Sequence, residues 1–95
     1  MVDSVLAYGD GEPVRILVRK RLHRYTLSDH GRPIAKAGKP PGWREAAELA
    51  VLPLNVDRQG VDFVPTHAGR DIPEFVERLA DASRAVHEAV LVLVE

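Results

Sequence analysis

Residues Asp71 to Val94 constrain the fold more than any other stretch of this chain. Ile72, Phe75, Val76, Leu79, Val86, Val90 and Leu93 recur at steps of three and four, with Ala82 and Ala89 filling in. That period gives one apolar helical face, and Glu77, Arg78, Asp81, Arg84 and Glu88 cover the opposite one. Asp71-Ile72-Pro73-Glu74 has the spacing of a capping box, in which Asp71 accepts from free backbone N–H groups. Pro73 is compatible with a first turn, where its missing N–H has no helical partner. At 1.5 Å per residue the helix spans on the order of 35 Å, enough to lie across a small sheet. Such a helix needs a partner surface.

Its end departs from the pattern. Ala89 to Val94 leave no polar face, so this turn and a half must be covered by something. Packing by the first residues or a neighbouring strand is one account. A contact with a second copy through Val90, Leu91, Val92, Leu93 and Val94 is another, and fraying into a strand is a third.

The 95 residues contain no cysteine, which excludes disulfides, thiolate metal sites and cysteine nucleophiles. A chain of this length forms one domain, residues 1–95. With no signal-like start and no apolar run near the ~20 residues that span a bilayer, the expected location is cytoplasmic, without a membrane partner. Net charge is −1, but it is unevenly distributed. Residues 14–44 carry nine cations against the single acid Asp29, a surplus of +8, and the remainder carries −9. Either a basic face meets an acidic partner, or one half folds against the other.

Along the chain, Val2, Val5 and Leu6 have helical spacing, so Val2 to Tyr8 reads as a short helix. Gly9-Asp10-Gly11 is a turn before Pro13; a lone G-x-G outside a strand-to-helix context is not a phosphate loop. From Val14 the period becomes two. Val14, Ile16 and Val18 alternate with Arg15, Leu17 and Arg19, and the alternation resumes from Arg24 to Ser28, which predicts a β-hairpin. In one register Ile16, Val18, Tyr25 and Leu27 face the long helix, and Arg15, Arg19, Arg24 and Thr26 face away.

Ser28-Asp29-His30-Gly31 follows. Consecutive residues point in divergent directions, so these are not a catalytic triad but a turn, with Asp29 bonding nearby N–H groups and Gly31 at positive φ. A helical turn is expected at Ile34 to Ala37 and a helix from Trp43 to Val51. Lys39-Pro40-Pro41-Gly42-Trp43 lacks the glycine spacing and the Lys-Ser/Thr pair of a Walker loop. Trp43 reads either as a lid on the core or as a stacking platform beside cations. Leu54 to Val56 and Val61 to Val64 read as a second, acidic hairpin, and residues 66–70 as the loop into the long helix. His23, His30, His67 and His87 lack paired metal-ligand spacing and read as surface residues. Glu45 and Glu48 read as a solvated face.

Tyr25-Thr26-Leu27-Ser28-Asp29-His30-Gly31-Arg32, Ala37-Gly38-Lys39-Pro40-Pro41-Gly42-Trp43, Gly60-Val61-Asp62-Phe63-Val64-Pro65 and Gly69-Arg70-Asp71 resemble a group of small uncharacterised actinobacterial proteins over nearly the full length. That resemblance implies no catalytic residues. The first hairpin with its Leu-Ser-Asp-x-Gly ending is similar to a phage-associated bacterial domain of unknown function, with His30 where that pattern has an acid. The order of elements also resembles type III secretion chaperones, a likeness of topology alone.

The expected fold is α+β: two β-hairpins in an antiparallel sheet of about four strands, packed by the long C-terminal helix and one or two short ones. The expected function is a non-enzymatic, homodimeric interaction module without cofactor or metal. It docks an acidic protein partner through Arg15, Arg19, Lys20, Arg21, Arg24, Arg32, Lys36, Lys39 and Trp43. The alternative is nucleic-acid binding by the same surface.

Overall fold

The computed structural model describes residues 2–54, 56–58, 60–64 and 71–94. It has four strands, β1 (Val2–Ala7), β2 (Pro13–Arg21), β3 (Arg24–Ser28) and β4 (Gly60–Phe63). Its helices are α1 (Arg32–Lys36), α2 (Trp43–Val51) and α3 (Asp71–Leu91), with 3₁₀ turns at Leu52–Leu54 and Val92–Val94. The strands form one antiparallel sheet in the order β1-β2-β3-β4, so the fold is α+β as expected.

Two strand assignments differ from the sequence reading. Val2 to Ala7 is an edge strand, not a helix, pairing Val2 with Ile16 and Ala7 with Pro13 around an irregularity. Pro13 is tolerated there as the first residue of its strand. The second hairpin does not form: Leu54 belongs to a 3₁₀ turn, Asn55 lies outside the described residues, and β4 pairs with β3 instead. Its register sets Thr26 opposite Asp62 and Ser28 opposite Gly60. Gly60 is required at that point, because a methyl group would overlap the Leu27 carbonyl oxygen.

The β2–β3 hairpin takes the expected register, with Val18 opposite Leu27 and Arg19 opposite Thr26. Val14, Ile16 and Leu27 are fully buried, joined by Tyr8 just after β1 and by Val76, Leu79 and Ala80 from the N-terminal half of α3. Phe63 stacks between Tyr25 (5.9 Å) and Phe75 (4.0 Å) at the rim. A second cluster, Ile34, Ala47, Val51, Ala82, Val86 and Val90, packs α1 and α2 on the C-terminal half of α3. One helix thus serves two cores in series, and the molecule measures 44 × 24 × 20 Å.

α3 is described from Asp71 onward, and Asp71 shares its first turn with Glu74. At the other end Val90 is fully buried in the chain's own second core, so it is no part of an exposed dimer patch. Leu91 is half-buried, and Val92, Leu93 and Val94 are exposed. Near the start of the helix, β1 is tied down by polar contacts: Ser4 Oγ donates to Glu77 Oε2 (2.8 Å), and the Val5 N–H donates to Glu77 Oε1 (3.3 Å).

Candidate interaction surface at the basic hairpin

The charge surplus of residues 14–44 is partly answered within the chain. Arg15 pairs with Asp3 (3.1 Å) and Arg24 with Asp62 (3.4 Å). Arg32 donates from Nε and Nη2 to the two oxygens of Glu12 at 3.0 and 3.1 Å. Lys36 Nζ lies 2.6 Å from Asp10 and 2.5 Å from Glu12, with its side chain only 8% exposed. Donation from Arg32 and then Lys36 holds the Glu12 carboxyl down at about 2, and Lys36 lowers that of Asp10. The same contacts, with Asp10 first, raise Lys36.

The reading in which one half folds against the other therefore applies to Arg15, Arg24, Arg32 and Lys36. Arg32 and Lys36 anchor α1 against Glu12, just before β2. The hairpin tip lies at the other end of β2, about 30 Å away at ~3.3 Å per residue. The cations read as one basic surface are thus split between two ends of the sheet. Lys36 is buried in an internal cluster and is not a surface contact. Lys39 is exposed, at φ 49° in the loop before α2. Trp43 packs on the second core, and the guanidiniums of Arg44 and Arg58 each lie 5.2 Å from its ring centre. It closes the core edge, and its ring already carries cations of its own chain.

At the tip, Arg19, Lys20 and Arg21 form no ion pair with any described residue. Lys20 Nζ lies 5.9 Å from the centre of the Tyr25 ring. Arg21 faces Arg24 across a two-residue loop, Leu22-His23. Leu22 takes φ 57°, while His23 keeps a negative φ; this is the pattern of a type II′ turn, whose first position normally belongs to glycine. Leu22 is also 86% exposed. A β-branch-free but bulky side chain held in the left-handed region costs about 1–2 kcal/mol. Strain and exposure thus coincide at one apolar residue that is flanked by cations. The backbone conformation of Leu22 has no local sequence signal.

Among the described residues, Ser83 and Asp29 are hydrogen-bonded to each other and neither is hydrogen-bonded to a histidine side chain. Ser83 Oγ donates to Asp29 Oδ2, and Asp29 Oδ1 accepts the Gly31 N–H at 2.9 Å. The turn reading of Asp29 and Gly31 holds, with Gly31 at φ 67°. Burial pushes the Asp29 carboxyl up, against the pull of those donors. His87 is one turn beyond Ser83 and is buried, not a surface residue as expected. Its ring meets Tyr8 edge-on at 5.1 Å, and burial lowers its affinity for a proton. Its Nδ1 and the Tyr8 hydroxyl have no hydrogen-bond partner among the described residues. The spacing 76, 79, 83, 86, 90 places Ser83 on the inner row of α3 and brings His87 beside it, the signal that their polar character obscured.

His23 and His30 are exposed, and His67 lies outside the described residues. Glu45 and Glu48 are exposed, with Glu48 3.5 Å from Arg58. Among the described residues no group of His, Asp and Glu could hold a metal ion, and no helix is long and apolar enough to cross a membrane. Comparison with known proteins returns no matching family model, no matching curated protein and no matching solved structure.

Proposed function

We propose that this protein is a non-enzymatic interaction module whose basic hairpin tip, Arg19 to Arg24, docks an acidic partner. The observation that carries this reading is Leu22: an exposed, strained apolar residue flanked by three cations that have no acid of their own among the described residues. Arginines are enriched at binding hot spots, where they surround contacts that lose water, and the charges steer approach and orientation. Arg32, Lys36 and Trp43 support the fold of this module, since their charges and ring are engaged within the chain. The nucleic-acid alternative keeps the arginines as phosphate contacts but has no free stacking ring in Trp43.

Fluorescence anisotropy separates the two. Labelled Asp/Glu-rich peptides with interspersed leucines, and labelled single- and double-stranded DNA, are titrated with the protein at low and high salt. Peptide binding that is abolished by Arg19→Glu with Arg21→Glu supports the module. DNA binding that falls steeply with salt, without peptide binding, replaces it with the alternative.

A further inference from the structure

The helices pack on one face of the sheet, and among the described residues no element lies over the opposite face. Arg19, Thr26 and Asp62 lie in one row across that open face, because Arg19 pairs with Thr26 and Thr26 with Asp62. On one side of the row is the hairpin tip, with a notch between Leu22 and Val64 that Thr26 and Asp62 also line. On the other side is an open cleft of about 1070 Å³, again lined by Thr26 and Asp62. Its apolar wall includes Leu52, Val56 and Val61, and its acids are Glu48, Asp57 and Asp62. Among the described residues Arg58 is the one cation lining it, 3.5 Å from Glu48, while Asp62 is paired with Arg24 and Asp57 has no ion pair there. Leu52 is 71% exposed.

A basic tip carrying one apolar anchor and an acidic cleft with an apolar wall are complementary in both charge and chemistry. They also lie on opposite sides of the same pair of residues. A two-fold axis lying between two such faces, parallel to the row of Arg19, Thr26 and Asp62, sets the faces against each other and places each tip over the other copy's cleft. A self-complementary patch of this kind closes into a dimer and cannot propagate into a filament.

Resting on the reading of the hairpin as a docking element for an acidic surface, we infer that its partner is a second copy of this chain. The two copies pack open sheet face to open sheet face, with Leu22 of each seated in the acidic cleft of the other.

Sedimentation equilibrium of the full chain, from micromolar to several hundred micromolar and at low and high salt, tests this. The expected result is twice the 10.5 kDa chain mass, with dissociation promoted by salt. Leu22→Gly, which suits the turn and so keeps the fold, is expected to weaken the dimer at least about tenfold, as loss of a central anchor does. Two charge-reversed proteins complete the test: one with Arg19→Glu and Arg21→Glu, the other with Glu48→Lys and Asp57→Lys. Each is expected to be monomeric alone, with its helical circular dichroism retained. Mixed, they present two matched contacts and are expected to form a one-to-one heterodimer.

Three results overturn the inference: a monomer at every concentration, a dimer indifferent to all these changes, or a dimer that responds only to Val92→Asp with Leu93→Asp. A monomer whose hairpin still binds the acidic peptide rejects the second copy as partner and leaves the docking reading standing. A monomer that binds no acidic peptide removes both.

Discussion

Ser83 Oγ donates its hydrogen bond to Asp29 Oδ2, joining the middle of α3 to the turn that ends β3 across 54 positions of sequence. Both residues are buried, and the contact sits between the two apolar cores. Removing the hydroxyl by Ser83→Ala leaves a buried carboxyl with one donor fewer, which costs about 1–3 kcal/mol. For a domain of this size each kcal/mol lowers Tm by roughly 4–8 °C. Asp29→Ala costs more, because it also removes the bond to Gly31 and strands Ser83. Thermal and urea melts of the two variants check the order.

The hairpin tip gives a prediction of opposite sign. At Leu22, glycine is free of the steric cost that any residue with a Cβ bears at positive φ. Leu22→Gly is therefore expected to be more stable than Leu22→Ala by about 1 kcal/mol, the reverse of the order at ordinary positions. Urea midpoints of the pair measure it.

Gly60→Ala is expected to be severe for so small a change. The added methyl meets the Leu27 carbonyl, a backbone atom fixed by strand pairing, so it cannot move aside as a side chain could. The expected loss is about 1–3 kcal/mol. Hydrogen exchange should show its effect first at the β3–β4 pairs, Tyr25 with Phe63 and Leu27 with Val61.

Acid is expected to unfold the protein in stages. Burial holds the folded pKa of His87 below its ordinary 6.5, so the unfolded chain takes up the proton first and stability falls as pH drops below that value. His87→Gln removes this limb of the profile. Glu12, held at about 2 against an ordinary 4.5, contributes stability that is full above 4.5 and is lost as pH falls toward 2. Glu12→Gln removes that second limb. Asp29 acts in the other direction. Its folded pKa is raised above 3.8, so between those values the folded state holds the proton and stability decreases as pH rises. Urea melts across pH on all three, with Asp29→Asn as the third variant, resolve the contributions.

Much of the fold could be read from period and turn chemistry. The β2–β3 hairpin, the helix from Trp43 to Val51 and the amphipathic α3 follow directly from apolar spacing. β1 was hidden because its inward row of Val2, Ser4, Leu6 and Tyr8 includes a buried serine, while Val5 faces outward at 89% exposure. The serine is accommodated by Glu77, a partner more than seventy residues away, and no local pattern announces it. His87 was obscured for a related reason: a polar residue on the inner row looks like surface until the aromatic ring that covers it is placed. The charge surplus was visible, but its division into answered and unanswered cations was not. That division depends on Asp3, Asp10, Glu12 and Asp62, which tertiary structure brings to Arg15, Lys36, Arg32 and Arg24.

The tie between Ser4 and Glu77 also sets an order of events on the ribosome. All three strands of the first 28 residues are complete before any of α3 exists, yet their apolar face is covered by residues of that helix, among them Ile72, Phe75, Val76, Leu79 and Ala80. At about 5–20 residues per second, they wait several seconds for that cover. During that interval both edges of the nascent meander are open to wrong partners, and the short, charge-bearing strand β1 at one of them is a safeguard against mispairing.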